Sequence, residues 1–155
     1  METARHAHKK STSLNDSSFR ANQTGSEADF SFHHIGGSDT VYVFESPIDM
    51  LSFLTLYPKG WQQDSYVTLC SVADRALFRQ LENHTNLQKI VLCLDNDEAG
   101  RQATERIAAK LSEKGYADVS VLLPALKDWN EAVQADCGKM KTAPIEEASC
   151  GMVMQ

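Results

Sequence analysis

Four apolar runs, each followed by a stretch that reads as helix, organise this chain. Val41-Tyr42-Val43-Phe44, Tyr66-Val67-Thr68-Leu69-Cys70, Ile90-Val91-Leu92-Cys93-Leu94 and Val119-Ser120-Val121-Leu122-Leu123 are rich in β-branched and aromatic residues. Continuous apolar runs of this length are the pattern of strands buried on both faces, as in a parallel sheet. After the first run, Ser46-Pro47-Ile48-Asp49 supplies a cap, a proline at the first helical position and an acid three residues on, predicting a helix over 47–57. Its apolar residues Ile48, Met50, Leu51, Phe53, Leu54 and Leu56 cover most of the circumference, which predicts packing on more than one side. Ser71-Val72-Ala73-Asp74 reads as a capping box for a second helix with Ala73, Leu77 and Leu81 on one face. The longest helix is predicted over 98–114, with Ala99, Ala103, Ile107 and Leu111 inward and Gly115 as its stop. Asp128-Trp129-Asn130-Glu131 caps a short last helix reaching about Gln134.

Strands alternating with helices four times predict an α/β fold of Rossmann-like class. It is expected to have about four parallel strands, right-handed crossovers and flanking helices. Asp29-Phe30-Ser31-Phe32-His33 alternates apolar with polar, so an additional N-terminal edge strand is expected. Residues 1–28 are rich in Ser, Thr, Asn and His with few apolar positions and read as a flexible arm or linker. The domain is placed at 29–136, and 137–155, without periodicity, as an irregular tail.

Composition narrows the function classes. A net charge of -6 over 155 residues argues against a protein that grips nucleic acid unaided, because such binding rests on Lys and Arg displacing counterions. Cys70, Cys93, Cys137 and Cys150 show no C-x-x-C pairing and read as reduced. His6, His8, His33 and His34 lack Cys or acidic partners at ligand spacing and read as surface. No apolar run reaches the roughly 20 residues that span a bilayer, and residues 1–10 lack the apolar core of a signal peptide, so a cytoplasmic location and no membrane partner are expected.

The chemistry-bearing residues collect at one predicted edge. Glu45 follows the first strand, Asp95 and Asp97 the third, and Asp128 the fourth. In an open α/β sheet the carboxyl ends of the strands are where ligands bind. If the first and third strands are neighbours, three carboxylates converge, and their mutual repulsion calls for a divalent cation, Mg²⁺ being the natural partner of oxygen ligands. A bland reading stands beside this one: Asp49, Asp97 and Asp128 all occupy helix starts, where an acid satisfies free N–H groups. Glu45 has no such local role, since Ser46 is already the cap. A receiver domain would want an acidic pair after its first strand and a Lys after its last, and a haloacid-dehalogenase-like phosphatase would place Asp-x-Asp after its first strand; both fit less well. G-x-G-x-x-G and the P-loop pattern are absent.

A Glu after the first strand with an acid four residues on, then an apolar strand ending Asp95-Asn96-Asp97-Glu98-Ala99-Gly100-Arg101, resembles the Toprim domain. The likeness is to the primase-type Toprim domains of plasmid and conjugative-element proteins; it runs from about Phe30 to Gln134 and includes Lys127-Asp128-Trp129-Asn130-Glu131. It implies Glu45 as general acid or base, Asp95 and Asp97 as ligands of Mg²⁺ (or Mn²⁺), and Asp49 and Asp128 as holders of further metal. Arg101 and Lys127 could touch phosphate, though for Arg101 helix-surface solvation is the stronger reading. Two positions depart from the family pattern: Ser46 stands where a Gly is usual, and Asn130 where primases often carry another acid. The zinc-binding and initiation portions of a complete primase are not in this stretch. The implied function is Mg²⁺-dependent, primase-like nucleotidyl transfer in mobile-element DNA replication, with nucleic acid and other replication domains or proteins as partners. The alternatives are a metal-binding or docking module without turnover and a Toprim nuclease.

Overall fold

The computed structural model describes residues 5, 7–10, 20–25, 27, 30–69 and 73–140. Within the expected arm, β1 (His8–Lys10) pairs antiparallel with β2 (Arg20–Asn22). The domain proper is built from β3 (His33–His34), β4 (Thr40–Phe44), α1 (Pro47–Leu56), β5 (Ser65–Thr68), α2 (Arg75–Asn83), β6 (Lys89–Leu92), α3 (Glu98–Glu113), β7 (Asp118–Val121) and α4 (Trp129–Met140). They form one five-stranded sheet in the order β3-β5-β4-β6-β7. β5, β4, β6 and β7 run parallel, and β3 is the antiparallel edge. The α/β fold with four parallel strands and a leading edge strand is therefore what the apolar pattern indicates, although the edge strand starts at His33, the end of the stretch expected to form it.

Side chains alternate across the strands and feed two separate cores. Val41, Val43, Val67, Leu69, Ile90, Leu92 and Leu94 face α2 and α3, meeting Ala76, Leu77, Leu81, Ala103, Ile107 and Leu111. Phe44, Tyr66 and Cys93 face the other way, toward Met50 and Phe53 of α1 and Trp129 of α4. Helices on both faces explain why the strands read as continuous apolar runs. At β7 the covering layer thins: Val121, Leu122 and Leu123 are 40–50% exposed, so the strand ends two residues earlier than its apolar run.

The helix ends follow the local chemistry with some revisions. Ser46 has extended backbone and its hydroxyl accepts from the Asp49 amide, as the cap pattern requires. α1 does not bury its whole circumference, however: Ile48 and Leu51 are exposed while Met50 and Phe53 carry the packing. α2 opens at Arg75 rather than at a capping box; Ser71 and Val72 lie outside the described residues, and Asp74, making no cap bond, pairs with Lys110 at 2.6 Å instead. In α3, Ala103, Ile107 and Leu111 are buried as expected, whereas Ala99 is exposed. Gly115, at φ 89°, closes α3 in the left-handed conformation that glycine adopts without steric cost. α4 continues to Met140, past the Gln134 expected from sequence. Among the described residues no helix is long and apolar enough to cross a membrane.

Candidate active site

Strand order turns four separate acids into neighbours. β4 pairs with β6, Val43 lying opposite Leu92, so the residues after both strands leave the sheet side by side. β4 has β5 on its other side, so the β4–β6 boundary is where successive connections diverge, and the crevice beyond it is the usual ligand position in doubly wound sheets. Glu45 follows Phe44 directly. On β6 the sheet pairing persists past the strand, the Cys93 amide donating to the Val43 carbonyl at 2.8 Å, which carries Leu94 and Asp95 to the same edge.

Asp95 is the centre of this edge. It is 8% exposed, and Oδ1 finds no hydrogen-bond donor among the described residues. Burial, and then the charges of Glu45, Asp49, Asp128 and Asp97 in that order, push its carboxyl up to about 7. All five acids singled out in the sequence therefore lie within electrostatic reach of one point. Glu45 is partly buried at the end of β4, its Oε1 shielded from solvent. Asp49 is 5% exposed in the first turn of α1, and Ser46 Oγ donates to its Oδ2 at 2.5 Å.

The capping roles are also present. Asp97 Oδ1 accepts from the Gly100 amide at 2.9 Å as the cap of α3, leaving Oδ2 4.0 Å from Lys127 Nζ. Asp128 Oδ1 accepts from the Glu131 amide at 2.7 Å at the start of α4, and Glu131 Oε2 reaches back to the Lys127 amide. Each of these two aspartates thus serves a helix with its Oδ1 oxygen. Arg101 is held within its own helix start, near Glu98 Oε2 at 3.3 Å and Asn96 Oδ1 at 3.4 Å, and is not drawn into the acid cluster. Lys127 is largely exposed beside Asp97.

Two residues without an assigned role in the sequence shape the site. A Cβ on Gly100 would collide with the Asp95 carbonyl oxygen, so the glycine of Asp-x-Asp-x-Ala-Gly is what lets α3 start directly against the Asp95 backbone. Trp129, 3% exposed, donates its indole N–H to the Cys93 carbonyl at 2.9 Å and stands edge-on to Phe53 at 5.0 Å. A small residue at a helix start and a tryptophan beside a capping Asp are the signals that could have found them.

The donor set is all oxygen, which fits a hard cation. Among the described residues, no group of three or more His, Cys, Asp or Glu side chains forms a ready-made metal cage. An undonated buried oxygen on Asp95 amid four further acids suits an ion such as Mg²⁺, which takes one or two carboxylates and keeps several waters, better than one requiring an all-protein shell.

Comparison with known proteins agrees with this fold. The chain is 32% identical over 95 residues to a Mycoplasma pneumoniae protein described as "Uncharacterized protein MG010 homolog", covering 61% of this chain and 42% of that one. The primase fragment of the bacteriophage T7 primase-helicase protein superposes with a TM-score of 0.52 at 28% identity, over 68% of this chain and 44% of that one. The primase domain in a bacteriophage T7 lagging-strand DNA polymerase complex, bound to an RNA/DNA hybrid and dTTP, gives 0.55 at 23% identity, over 79% and 62%, a likeness of fold. The chain thus spans less than half the length of the curated relative and of the primase fragment. The family model described as Toprim-like matches residues 42–133, from the middle of β4 to the first turns of α4 and including every acid of the site. With the match covering more than half of its length, the chain belongs to the Toprim-like family.

Proposed function

We propose that this chain is a Mg²⁺-dependent domain acting on nucleic-acid phosphodiesters, with primase-like nucleotidyl transfer in mobile-element DNA replication as its reaction. The observation that carries the reading is the convergence of Glu45, Asp49, Asp97 and Asp128 on the buried carboxylate of Asp95 at the switch point of the sheet. Structural likeness to primase fragments supports transfer over other phosphoryl chemistry.

Asp95 and Asp97, with Asp49 and Asp128 behind them, would hold Mg²⁺ (or Mn²⁺). Once bound, the ion supplies charge neutralisation at phosphate oxygens, which is most of what phosphoryl transfer asks of a protein. Glu45 leaves β4 beside this cluster without being a cap, so its carboxylate is the group placed to accept the proton of an attacking hydroxyl. Ser46 sets the Asp49 carboxylate through its hydroxyl. Lys127, exposed at the rim, is placed to meet a phosphate, while Arg101 braces the start of α3. The acidic balance of the chain makes its own hold on nucleic acid weak, so companion domains or replication proteins are expected to supply it.

The test is primer synthesis from ribonucleotides on a single-stranded template with Mg²⁺, comparing the wild type, in the presence of its natural companion domains, with Glu45→Gln. Products that vanish in the variant are expected. Nicking of supercoiled plasmid in place of synthesis would make the domain a nuclease. A docking module without turnover is favoured by the use of Asp97 and Asp128 as caps; neither product forming while a replication protein binds would establish it.

A further inference from the structure

Asp95 and Asp128 come from different elements, and two hydrogen bonds join the chain on either side of both residues. Trp129 Nε1 donates to the Cys93 carbonyl at 2.9 Å, and the Asn96 amide donates to the Lys127 carbonyl at 2.7 Å. Cys93 and Asn96 bracket Asp95; Lys127 and Trp129 bracket Asp128. The cap bond of Asp128 to the Glu131 amide lies within α4 and says nothing of where α4 sits. The bracketing pair ties both sides of Asp128 to the stretch that carries Asp95.

The indole is nearly enclosed, edge-on to Phe53 at 5.0 Å, with Phe44 at 6.4 Å and Tyr57 at 6.5 Å. A buried indole N–H must find an acceptor, so the ring can sit in this aromatic cluster only with its donor on the Cys93 carbonyl. A phenylalanine would satisfy the packing but not the tie.

We propose that Trp129 is a positioning residue that pins Asp128 beside Asp95 so that both carboxylates can be drawn to one divalent cation. This rests on the reading of the acidic cluster as a cation site. Residues that orient metal ligands are typically worth ten- to a hundredfold in affinity.

The test is calorimetric Mn²⁺ titration of the full chain carrying Trp129→Phe, in the wild-type and Asp128→Asn backgrounds. Roughly tenfold weaker binding is expected in the first and no further loss in the second. Phe53→Leu, which trims the same aromatic cluster but leaves the N–H tie, should bind as the wild type does. Equal loss in both backgrounds, loss in Phe53→Leu as well, or no loss from Trp129→Phe would overturn the assignment. A second readout needs no variant: Mn²⁺ should broaden the indole N–H resonance of Trp129 and spare that of Trp61, which precedes β5 at the far end of the sheet. Equal broadening of both, or of neither, would overturn it. A wild type that binds no Mn²⁺ removes the cation-site reading together with this one, whereas a wild type that binds while the variants show the wrong pattern removes only the role of Trp129.

Discussion

Asp95 carries a cost in the absence of a cation. Its carboxyl is pushed up to about 7 in the fold, whereas an unfolded Asp ionises near 4, so the folded protein holds the extra proton between these values. Stability contributed by the neutral form is present below about pH 4 and lost as the pH rises to about 7. Metal-free protein should therefore melt at progressively lower temperature across that window. Asp95→Asn should flatten the slope and raise the melting temperature at pH 8; an unchanged slope in the variant would assign it to other groups. Gly100→Ala is expected to destabilise by about 2 kcal/mol or more, read from urea unfolding, because its Cβ has only the Asp95 backbone to push against. The Ser46 cap was legible in sequence, and it is what leaves Glu45 without a capping role. The tie from Trp129 was not, because no local pattern reveals that an indole will reach a carbonyl 36 residues away, just past the end of β6.

Among the elements, the start of α3 separates structural from functional use of an acid. Asp97→Asn keeps a good cap and should leave stability nearly unchanged, while Asp97→Ala should cost about 1 kcal/mol in urea unfolding. If Asp97 also serves the cation, both variants should weaken Mn²⁺ binding, whereas a pure cap predicts binding unaltered in Asp97→Asn. α3 was readable in advance because its apolar spacing, its Asp cap and Gly115 all agree. α4 was cut short at Gln134 because its sequence around Gly138 has little periodicity, and its position comes from Trp129 and packing on α1. At α2 the expected capping pattern starts at Ser71, outside the described residues, and Asp74 makes no cap bond but pairs with Lys110 on α3. β7 ended early where its face lost cover, although its apolar run continued.

At the scale of the molecule, the site exists because β6 lies next to β4 and not beside β5. Runs of apolar residues predict strands and right-handed crossovers, yet either side of β4 would accept β6; the sequence therefore allowed convergence of Glu45 with Asp95 and did not require it. The order β3-β5-β4-β6-β7 puts β4 and β6 side by side, so that Glu45 and Asp95 leave the sheet at the same edge. With a net charge of -6, the chain should bind single-stranded DNA weakly, and added Mg²⁺ should strengthen that binding, as read by fluorescence anisotropy at fixed ionic strength. The most direct measurement is a calorimetric Mn²⁺ titration of the wild type against Asp95→Asn combined with Asp97→Asn at pH 7.5. Saturable binding in the wild type that disappears in the double variant, with both proteins folded, is the predicted result; equal binding in the two, or none in the wild type, would contradict a cation site at the β4–β6 edge.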